Sequence, residues 1–470
     1  MSLTAIMFWI SYVCGTCAAV FNPIAGVLLY ILVYHLNPET QWWGQSVRAL
    51  GIRTSFTVAL AAGVGLLVRR PRLEHGAQQF PLPYALALLL GIVAVGSLTW
   101  GFEPCDRGHY QAWKYVKLMI FLFILIRCVR KPLHYHLVIL AWLVGVAYLG
   151  YQASGGVGRM HSGRLAYGIG GPDFAESSGL AVHLVATLPL IGAWFFMARS
   201  WWGRTFALVT GALAVNTIIM TRTRNAIVGL ALMAIAAVLS LPRGFRMKGL
   251  AAVLAGAFLA VHLTDPGWWK RMETVLHYEQ DSGAVQRLTL WNAAFHMALD
   301  HPFGIGLGNF RQVVVDYLPE LPKGRSAHNT LATCIAELGW PGIILILAII
   351  VVTLTRLGRV RRVARQLPAF VEIPVHRWQP RFHLGWHAVA LRAGLIGYCG
   401  CAVFTTRLFA EDLWMLIGFA MCLRNVSLHM EAQNELADLP EPYPTPSLIP
   451  ASPATPANVI GKISHASQTR

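Results

Sequence analysis

Residues 333–355 read TCIAELGWPGIILILAIIVVTLT, and Glu337 is the one charged side chain among them. A helix needs about 20 predominantly apolar residues to cross the hydrocarbon core of a bilayer. The stretch meets this requirement in length and in composition. It therefore predicts a membrane-spanning helix.

The same pattern recurs along the whole chain. Comparable apolar stretches lie at 3–19, 22–36, 54–68, 83–100, 113–127, 134–151, 178–197, 204–220, 224–241, 247–263, 386–404 and 409–423. Together with 333–355 they make twelve or thirteen candidates, because Asn22-Pro23 either breaks one hairpin or divides two helices. The sequence therefore predicts an all-α fold, a polytopic membrane helix bundle of about 12 transmembrane helices.

The overall composition agrees with a membrane protein. Of the 470 residues, 56% are hydrophobic and 13% are charged, against about 25% charged in an ordinary soluble domain. A water-soluble globule and a disordered chain are both excluded by these values. The net charge of +17 is divided into short clusters between apolar runs, so it does not indicate nucleic-acid binding.

The basic clusters predict which loops share a side of the membrane. They lie at 69–72, 127–131, 199–204, 243–248 and 356–365, which is every second loop. Short cytoplasmic loops carry the excess of Lys and Arg. Residues 37–53, 101–112, 152–177, the turn near 221 and residues 264–332 are therefore predicted on the opposite, periplasmic side. The amino terminus is also outside if the first stretch spans.

Four regions follow from this arrangement. N-terminal transmembrane helices occupy 1–263, a periplasmic loop 264–332, C-terminal transmembrane helices 333–428 and a disordered Pro-rich tail 429–470. Within the long loop, apolar residues at spacings of three and four predict an amphipathic helix over 284–299. Trp268, Trp269 and Tyr278 are predicted interfacial anchors.

Two groups of arginines could bind an anion. Arg222 and Arg224 lie at the outside turn that enters the apolar run 226–240, where positive charge is disfavoured. Arg287 lies four residues before Trp291, so the two side chains share a helix face. A diphosphate is a natural ligand, because arginine presents paired donors to phosphate oxygens. The alternatives are snorkelling arginines and a surface arginine stacked on tryptophan.

Alternating glycines follow the predicted loop helix. Gly304, Gly306 and Gly308 superficially resemble a nucleotide-binding loop, but no strand precedes them, so a dinucleotide site is rejected. They predict a tight backbone turn that approaches a substrate or another helix closely.

His328 is the candidate base. It stands in Ser326-Ala327-His328-Asn329, and nine residues separate Asn329 from Gly339. Histidine titrates near neutral pH, and neighbouring arginines would lower the pKa of His328 and favour its proton-accepting form. The alternative is a structural or solvated interface histidine. Possible acceptor-binding groups, which could equally be ordinary loop charges, are Asp173, Glu176, Arg407, Glu411 and Asp412.

These motifs resemble one family. The string His328-Asn329, nine residues and then Gly339-x-x-Gly342 resembles the periplasmic signature of the O-antigen ligase superfamily, which includes O-antigen polymerases and O-oligosaccharyltransferases. Arg224, Arg287-x-x-x-Trp291 and the run from His301 to Phe310 extend the similarity over about residues 205–355. The opening residues 36–44 resemble exosortase-associated variants of the family.

The resemblance implies a metal-independent glycosyltransferase of the bacterial inner membrane that uses no cofactor. It would transfer a glycan from undecaprenyl diphosphate to a lipid-core, glycan or protein hydroxyl on the periplasmic side. His328 would be the catalytic base, and Arg224 and Arg287 would bind the diphosphate. Further candidate substrate-binding residues are Arg222, Asn329, Trp291, Gly306 and Gly308. Because this chain has both Arg222 and Arg224, which of them contacts phosphate stays open.

Three alternative functions are a polymerase, a transporter and a transpeptidase. A polymerase of the same superfamily would differ from a ligase in its acceptor. A transporter of lipid-linked glycans would bind the same anion without making a bond, although the chain has no internal repeat of the kind many transporters show. A transpeptidase would need a reactive thiol, and Cys334 lies on a predicted membrane helix.

Overall fold

The computed structural model describes residues 2–69, 80–161, 163–167, 169–264, 267–269, 282–320, 324–367, 371–372 and 381–437. The helices are α1 Leu3–Phe21, α2 Pro23–Leu36, α3 Gln45–Leu50, α4 Thr54–Arg69, α5 Leu82–Trp100, α6 Asp106–Cys128, α7 Pro132–Ser154, α8 Ser177–Met197, α9 Trp201–Thr221, α10 Arg224–Ser240, α11 Arg243–Leu263, α12 Ser282–Asp300, α13 Phe310–Tyr317, α14 Thr330–Val363, α15 Leu384–Ala402 and α16 Glu411–Ala437. A 3-10 turn covers Pro38–Thr40, and two hairpins pair β1 Arg159–His161 with β2 Arg164–Tyr167 and β3 Val371–Glu372 with β4 Arg381–Phe382.

The described chain is an all-α polytopic membrane protein. Each of the apolar stretches found in the sequence coincides with a helix. Within the described ranges, eight helices are long and apolar enough to cross a membrane, and α4 and α10 are shorter apolar helices. The expected fold class is confirmed, while the number of twelve or thirteen crossings stays a prediction.

Small residues let the central helices pack closely. A Cβ at Gly394 on α15 would lie 2.3 Å from the carbonyl oxygen of Ala186 on α8. A Cβ at Gly229 on α10 would lie 2.1 Å from Cys401 Sγ, also on α15. Close backbone approach through small residues is the usual means of packing helices in a bilayer. Helix α15 therefore lies in the middle of the bundle, in contact with α8, α10, α14 and α16.

The loops predicted on one side of the membrane meet at one face of the bundle. Two hydrogen bonds join them, from Asn37 Nδ2 to Gly170 O at 3.1 Å and from Phe102 N to Ile305 O at 2.9 Å. The Arg222 guanidinium also lies against Gly163. At the other end of the bundle, Arg361 lies close enough to Arg246 and Arg392 for their charges to repel. These contacts agree with the expected alternation of loops, which stays a prediction together with the assignment of each face to periplasm or cytoplasm.

Two details differ from the expected pattern. The loop helix α12 forms, but it packs through Leu290, Ala293 and Met297. Of the apolar face predicted for it, Trp291 is partly buried, while the other four residues are exposed: Val285, Leu288, Phe295 and Leu299. Helix α16 continues to Ala437, beyond residue 428. Residue 278 and the rest of the predicted tail lie outside the described residues.

Candidate active site

The two glycine motifs of the sequence form one structural unit. Gly339 has φ +65° and interrupts the helical geometry of α14. The interruption leaves backbone groups of α14 without partners inside the helix, and the loop after α12 forms hydrogen bonds with them. Ile305 N donates to Ala336 O at 2.9 Å, and Trp340 N donates to Pro302 O at 2.9 Å. The loop therefore docks against the kink, and the first turns of α14 are set apart from its long apolar part.

The loop glycines are needed for this docking. Gly304, Gly306 and Gly308 all have positive φ, which glycine adopts without steric cost. A Cβ at Gly304 would lie 2.4 Å from Glu337 O, and one at Gly308 would lie 2.6 Å from Gly108 N. Gly306 and Gly308 were expected to approach either a substrate or another helix. In the structure they contact the neighbouring helices α5, α6 and α14.

A tryptophan on α12 holds the segment before His328. Trp291 Nε1 donates to the carbonyl oxygen of Ala327 at 2.8 Å. Ala327 is fully buried in the small core that α12 forms with α13 and the start of α14. The backbone next to His328 is therefore fixed by packing as well as by a hydrogen bond.

His328 lies between two anchored residues. Its φ is +46°, in the left-handed region that side chains rarely adopt. On the far side, Asn329 caps α14, because its Oδ1 accepts from Leu331 N at 2.8 Å and from Ala332 N at 3.1 Å. With Ala327 and Asn329 buried, the strained turn leaves the His328 side chain exposed. Strain of this kind concentrates at functional sites.

Charged side chains surround the imidazole. The pKa of His328 is lowered from 6.5, first by desolvation and then by the positive charge of Arg287. Arg311 and Arg325 lower this pKa further, whereas Glu176 opposes the shift. His328 is therefore mostly neutral at pH 7, as the sequence led us to expect, with Arg287 beside it.

Arg222 and Arg224 lie at the same face, at the turn between α9 and α10. Arg222 ends α9 with φ +46°, and Arg224 begins α10. A Cβ at Gly163 would lie 3.0 Å from Arg222 Nη1, so the guanidinium lies against the turn of the β1–β2 hairpin. The hairpin continues to Tyr167, which bridges to Glu176. The hairpin thus connects the turn that carries Arg222 and Arg224 with Glu176, whose negative charge raises the pKa of His328.

A buried ion-pair network occupies the same end of the bundle. Lys114 Nζ lies 2.6 Å from Asp173 Oδ1. Asp173 Oδ2 accepts from Glu411 N at 2.8 Å and from the Tyr34 hydroxyl at 3.3 Å. Burial disfavours the charged form of Asp173, but Lys114 and Arg407 outweigh it, so the pKa of Asp173 lies below its usual value.

Arg407 connects this network to the His328 segment. Its Nη2 lies 2.5 Å from Asp412 Oδ2, and its Nη1 donates to the carbonyl oxygen of Asp173 at 2.5 Å. Its backbone N donates to Thr330 Oγ1 at 2.9 Å, two residues after His328. The network therefore supports the start of α14, in addition to the support that Trp291 gives at Ala327.

Sequence reasoning found part of this arrangement. Asp173, Arg407, Glu411 and Asp412 were predicted as possible acceptor-binding groups, with ordinary loop charges as the alternative, and they lie together in the buried network. Lys114 was missed, although a lysine inside an otherwise apolar stretch is a signal for a buried partner. Arg311 and Arg325 near His328 were missed too, and nothing in their local sequence distinguishes them from solvated loop arginines.

The described residues favour neither a metal site nor a reactive cysteine. No three His, Cys, Asp or Glu side chains among them stand close enough together to hold a metal ion. The Cys334 thiol is completely buried within α14, which is not the exposed, electropositive setting of a reactive cysteine.

Part of the chain matches a known protein family. A family model described as O-Antigen ligase matches residues 209–347, less than a third of the chain. That region runs from α9 through the kink of α14 and contains Arg224, Arg287 and His328. No curated protein matches the chain significantly. The family match supports the membership of this multi-pass membrane protein in the O-antigen ligase superfamily, a group of glycosyltransferase-like enzymes.

Proposed function

We propose that the chain transfers a glycan from undecaprenyl diphosphate to an acceptor hydroxyl, with His328 as the general base. The observation that carries this proposal is the exposed, neutral His328 held in a left-handed turn beside Arg287. A base must be accessible and largely deprotonated at its working pH, and both conditions are met. The O-antigen ligase match supports lipid and glycan substrates.

The proposed reaction is a single displacement at the anomeric carbon of the donor. The acceptor oxygen attacks this carbon while its proton passes to the His328 imidazole. The bond between the anomeric carbon and the phosphate oxygen breaks, and the diphosphate leaves with the electron pair. Arg287 and Arg224 stabilise the charge on the leaving group, since charge-assisted hydrogen bonds to phosphate are the strong ones.

The proposal includes a location. The face that carries His328 is the periplasmic face of the bacterial inner membrane, because the loops at the other face contain the basic clusters. Acceptors of three kinds fit a base at this position: a lipid core sugar, a growing glycan and a protein hydroxyl. Ligase and polymerase activities share the same chemistry and differ in which acceptor enters.

The test uses purified full-length protein with a defined undecaprenyl-diphosphate-linked glycan and each acceptor class in turn. Release of undecaprenyl diphosphate and formation of the glycosylated acceptor are measured together. We expect His328→Ala and Arg287→Ala to reduce both by at least about 100-fold. The matched controls His109→Ala and Arg159→Ala replace exposed residues of the same face and should retain activity.

Two outcomes would overturn the proposal. Full transfer by both His328→Ala and Arg287→Ala would remove the proposed chemistry. Movement of the intact donor across a vesicle membrane with no change in its bonds would identify a transporter instead.

A further inference from the structure

A basic pocket lies at the opposite end of the bundle, remote from His328. It is a cavity of about 360 Å³ lined by Leu354, Thr355, Gly358, Arg359, Arg362 and Arg392. Helix α14 begins beside His328 and ends at Val363 after 34 residues, a length of about 50 Å at 1.5 Å per residue. The pocket is therefore separate from the proposed active site, and the inference below does not depend on the transfer reaction.

The described residues do not balance the charge of this pocket. No described carboxylate lies within ion-pair distance of Arg359, Arg362 or Arg392. A further arginine, Arg361, is close enough to Arg392 to repel it. Positive charges gathered in this way are stabilised by an anion between them.

Arg392 distinguishes this pocket from an ordinary basic loop, because it lies within a helix. It is half-buried and follows Leu384, the first residue of α15, by eight residues, which places it about 12 Å along the helix. The sequence predicts that α15 spans the membrane, and an arginine within such a helix is costly and marks a functional site by default. Snorkelling explains arginines at the ends of helices and does not explain why Arg392 shares a cavity with two others.

An apolar stripe leads from this pocket into the membrane part of α14. Ile344, Leu347 and Val351 are 62%, 46% and 57% exposed. They precede Thr355 and Arg359 at spacings of three and four residues, so all five share one helix face. A ligand that follows this face would have an anionic end at the arginines and apolar chains along the stripe.

We propose that the pocket formed by Arg359, Arg362 and Arg392 binds the phosphate of an anionic phospholipid whose acyl chains lie along Ile344, Leu347 and Val351. Basic pockets between transmembrane helices bind such headgroups. A soluble phosphate would bind the arginines but would make no contact with the adjoining apolar face. The observations therefore favour a lipid, which would contact both.

The experiment measures binding of cardiolipin, phosphatidylcholine and inorganic phosphate to delipidated full-length protein by native mass spectrometry. The wild-type protein is expected to bind cardiolipin in preference to phosphatidylcholine. Each neutralised arginine should weaken cardiolipin binding about fivefold, so R359Q/R392Q should bind about 25-fold more weakly. The matched control R365Q removes a charge from the same region outside the pocket and should bind within about twofold of wild type.

Three results would overturn the proposal. Equal weakening by R365Q and by the double variant would indicate a diffuse charge effect. Phosphatidylcholine bound as tightly as cardiolipin would remove the headgroup from recognition. Displacement of cardiolipin by an equimolar amount of inorganic phosphate would indicate a site for a free anion. If R359Q/R392Q fails to fold, R362Q alone, on the exposed side chain of the last turn of α14, carries the test with its fivefold loss.

Discussion

The indole Nε1 of Trp291 donates a 2.8 Å hydrogen bond to the carbonyl oxygen of Ala327, the residue that precedes His328. Arg287, one helical turn before Trp291, supplies the largest charge effect on the imidazole. A single helix thus holds the backbone beside His328 with one residue and sets the pKa of its side chain with another. This pairing explains why an arginine and a tryptophan four residues apart belong to the same site.

The hydrogen bond of Trp291 predicts a selective loss of activity. Trp291→Phe retains an aromatic ring and removes the donor, at a cost of about 1 kcal/mol in the free energy of unfolding. Because small displacements of a catalytic group are costly, we expect the transfer rate to fall about 10- to 100-fold. The measurement is the transfer rate together with thermal unfolding in detergent.

Trp100→Phe is the control for this prediction. It removes an equivalent indole bond, from Trp100 Nε1 to Phe303 O at 3.1 Å, at a position away from His328. We expect similar stability and near wild-type activity. Equal loss of activity in the two variants would contradict a positioning role for Trp291.

The charges around His328 predict the pH dependence of transfer. The pKa of His328 lies below 6.5, and the base works in its neutral form, so the rate should rise as pH increases through this lowered pKa and be level at neutral pH. Arg287→Gln removes the main positive charge, so the pKa of His328 should rise. The acidic limb of its normalised pH–rate profile should then move to higher pH.

Glu176→Gln should move the same limb in the opposite direction. Glu176 raises the pKa of His328 in the native protein, so removing its charge lowers that pKa. Complete pH–rate profiles of the three proteins measure both shifts. Profiles that coincide, or that shift in the same direction, would exclude His328 as the titrating base.

The kink of α14 predicts a large effect of one methyl group. A Cβ at Gly339 would lie 2.2 Å from Pro302 O, and the residue has φ +65°. Gly339→Ala should therefore lower the free energy of unfolding by more than about 2 kcal/mol, through clash and backbone strain together. Gly192 lies inside α8 with nothing within 4 Å of an added Cβ.

The matched variant Gly192→Ala should be neutral or stabilising by up to about 1 kcal/mol, because alanine favours a helix. Unfolding of both variants in detergent, followed by circular dichroism, gives the comparison. A Gly339→Ala protein as stable as wild type would mean that the loop does not dock against α14 as described.

The buried network predicts that loss of one charge is severe. Asp173→Asn leaves the Lys114 ammonium without its carboxylate 2.6 Å away, and breaking a buried pair costs about 3–5 kcal/mol. Since the folded pKa of Asp173 is lowered from 3.8, its stabilising contribution is complete above about that pH and is lost as pH falls further.

Glu431→Gln is the comparison for this loss. It removes the partner of Arg424 from a pair at 2.8 Å whose side chains are 22% and 31% exposed. Such partly solvated pairs contribute about 0–1 kcal/mol. Free energies of unfolding that are equal for Asp173→Asn and Glu431→Gln would show that the network at Asp173 is not an essential support of the site.

Much of the architecture was accessible from local patterns. Apolar runs identified the helices, because transfer from water to lipid is a property of each stretch by itself. The alternation of basic loops predicted which loops share a face, and spacing along a helix put Arg287 beside Trp291. The resemblance to a family named His328 as the base.

The three-dimensional site depended on contacts between distant parts of the chain. Lys114, Asp173 and Arg407 come from three loops or helices separated by tens to hundreds of residues, and no periodicity relates them. The docking of Gly304 against the kink at Gly339 and the left-handed turn of His328 arise in the same way.

Transfer of a segment from water to lipid depends on that segment alone, so the amino-acid sequence determined by itself where the helices lie. Pairing of buried charges and close backbone approach are not local, because they exist once distant elements have packed. The tertiary structure therefore decided which side chains surround His328 and how its backbone is held.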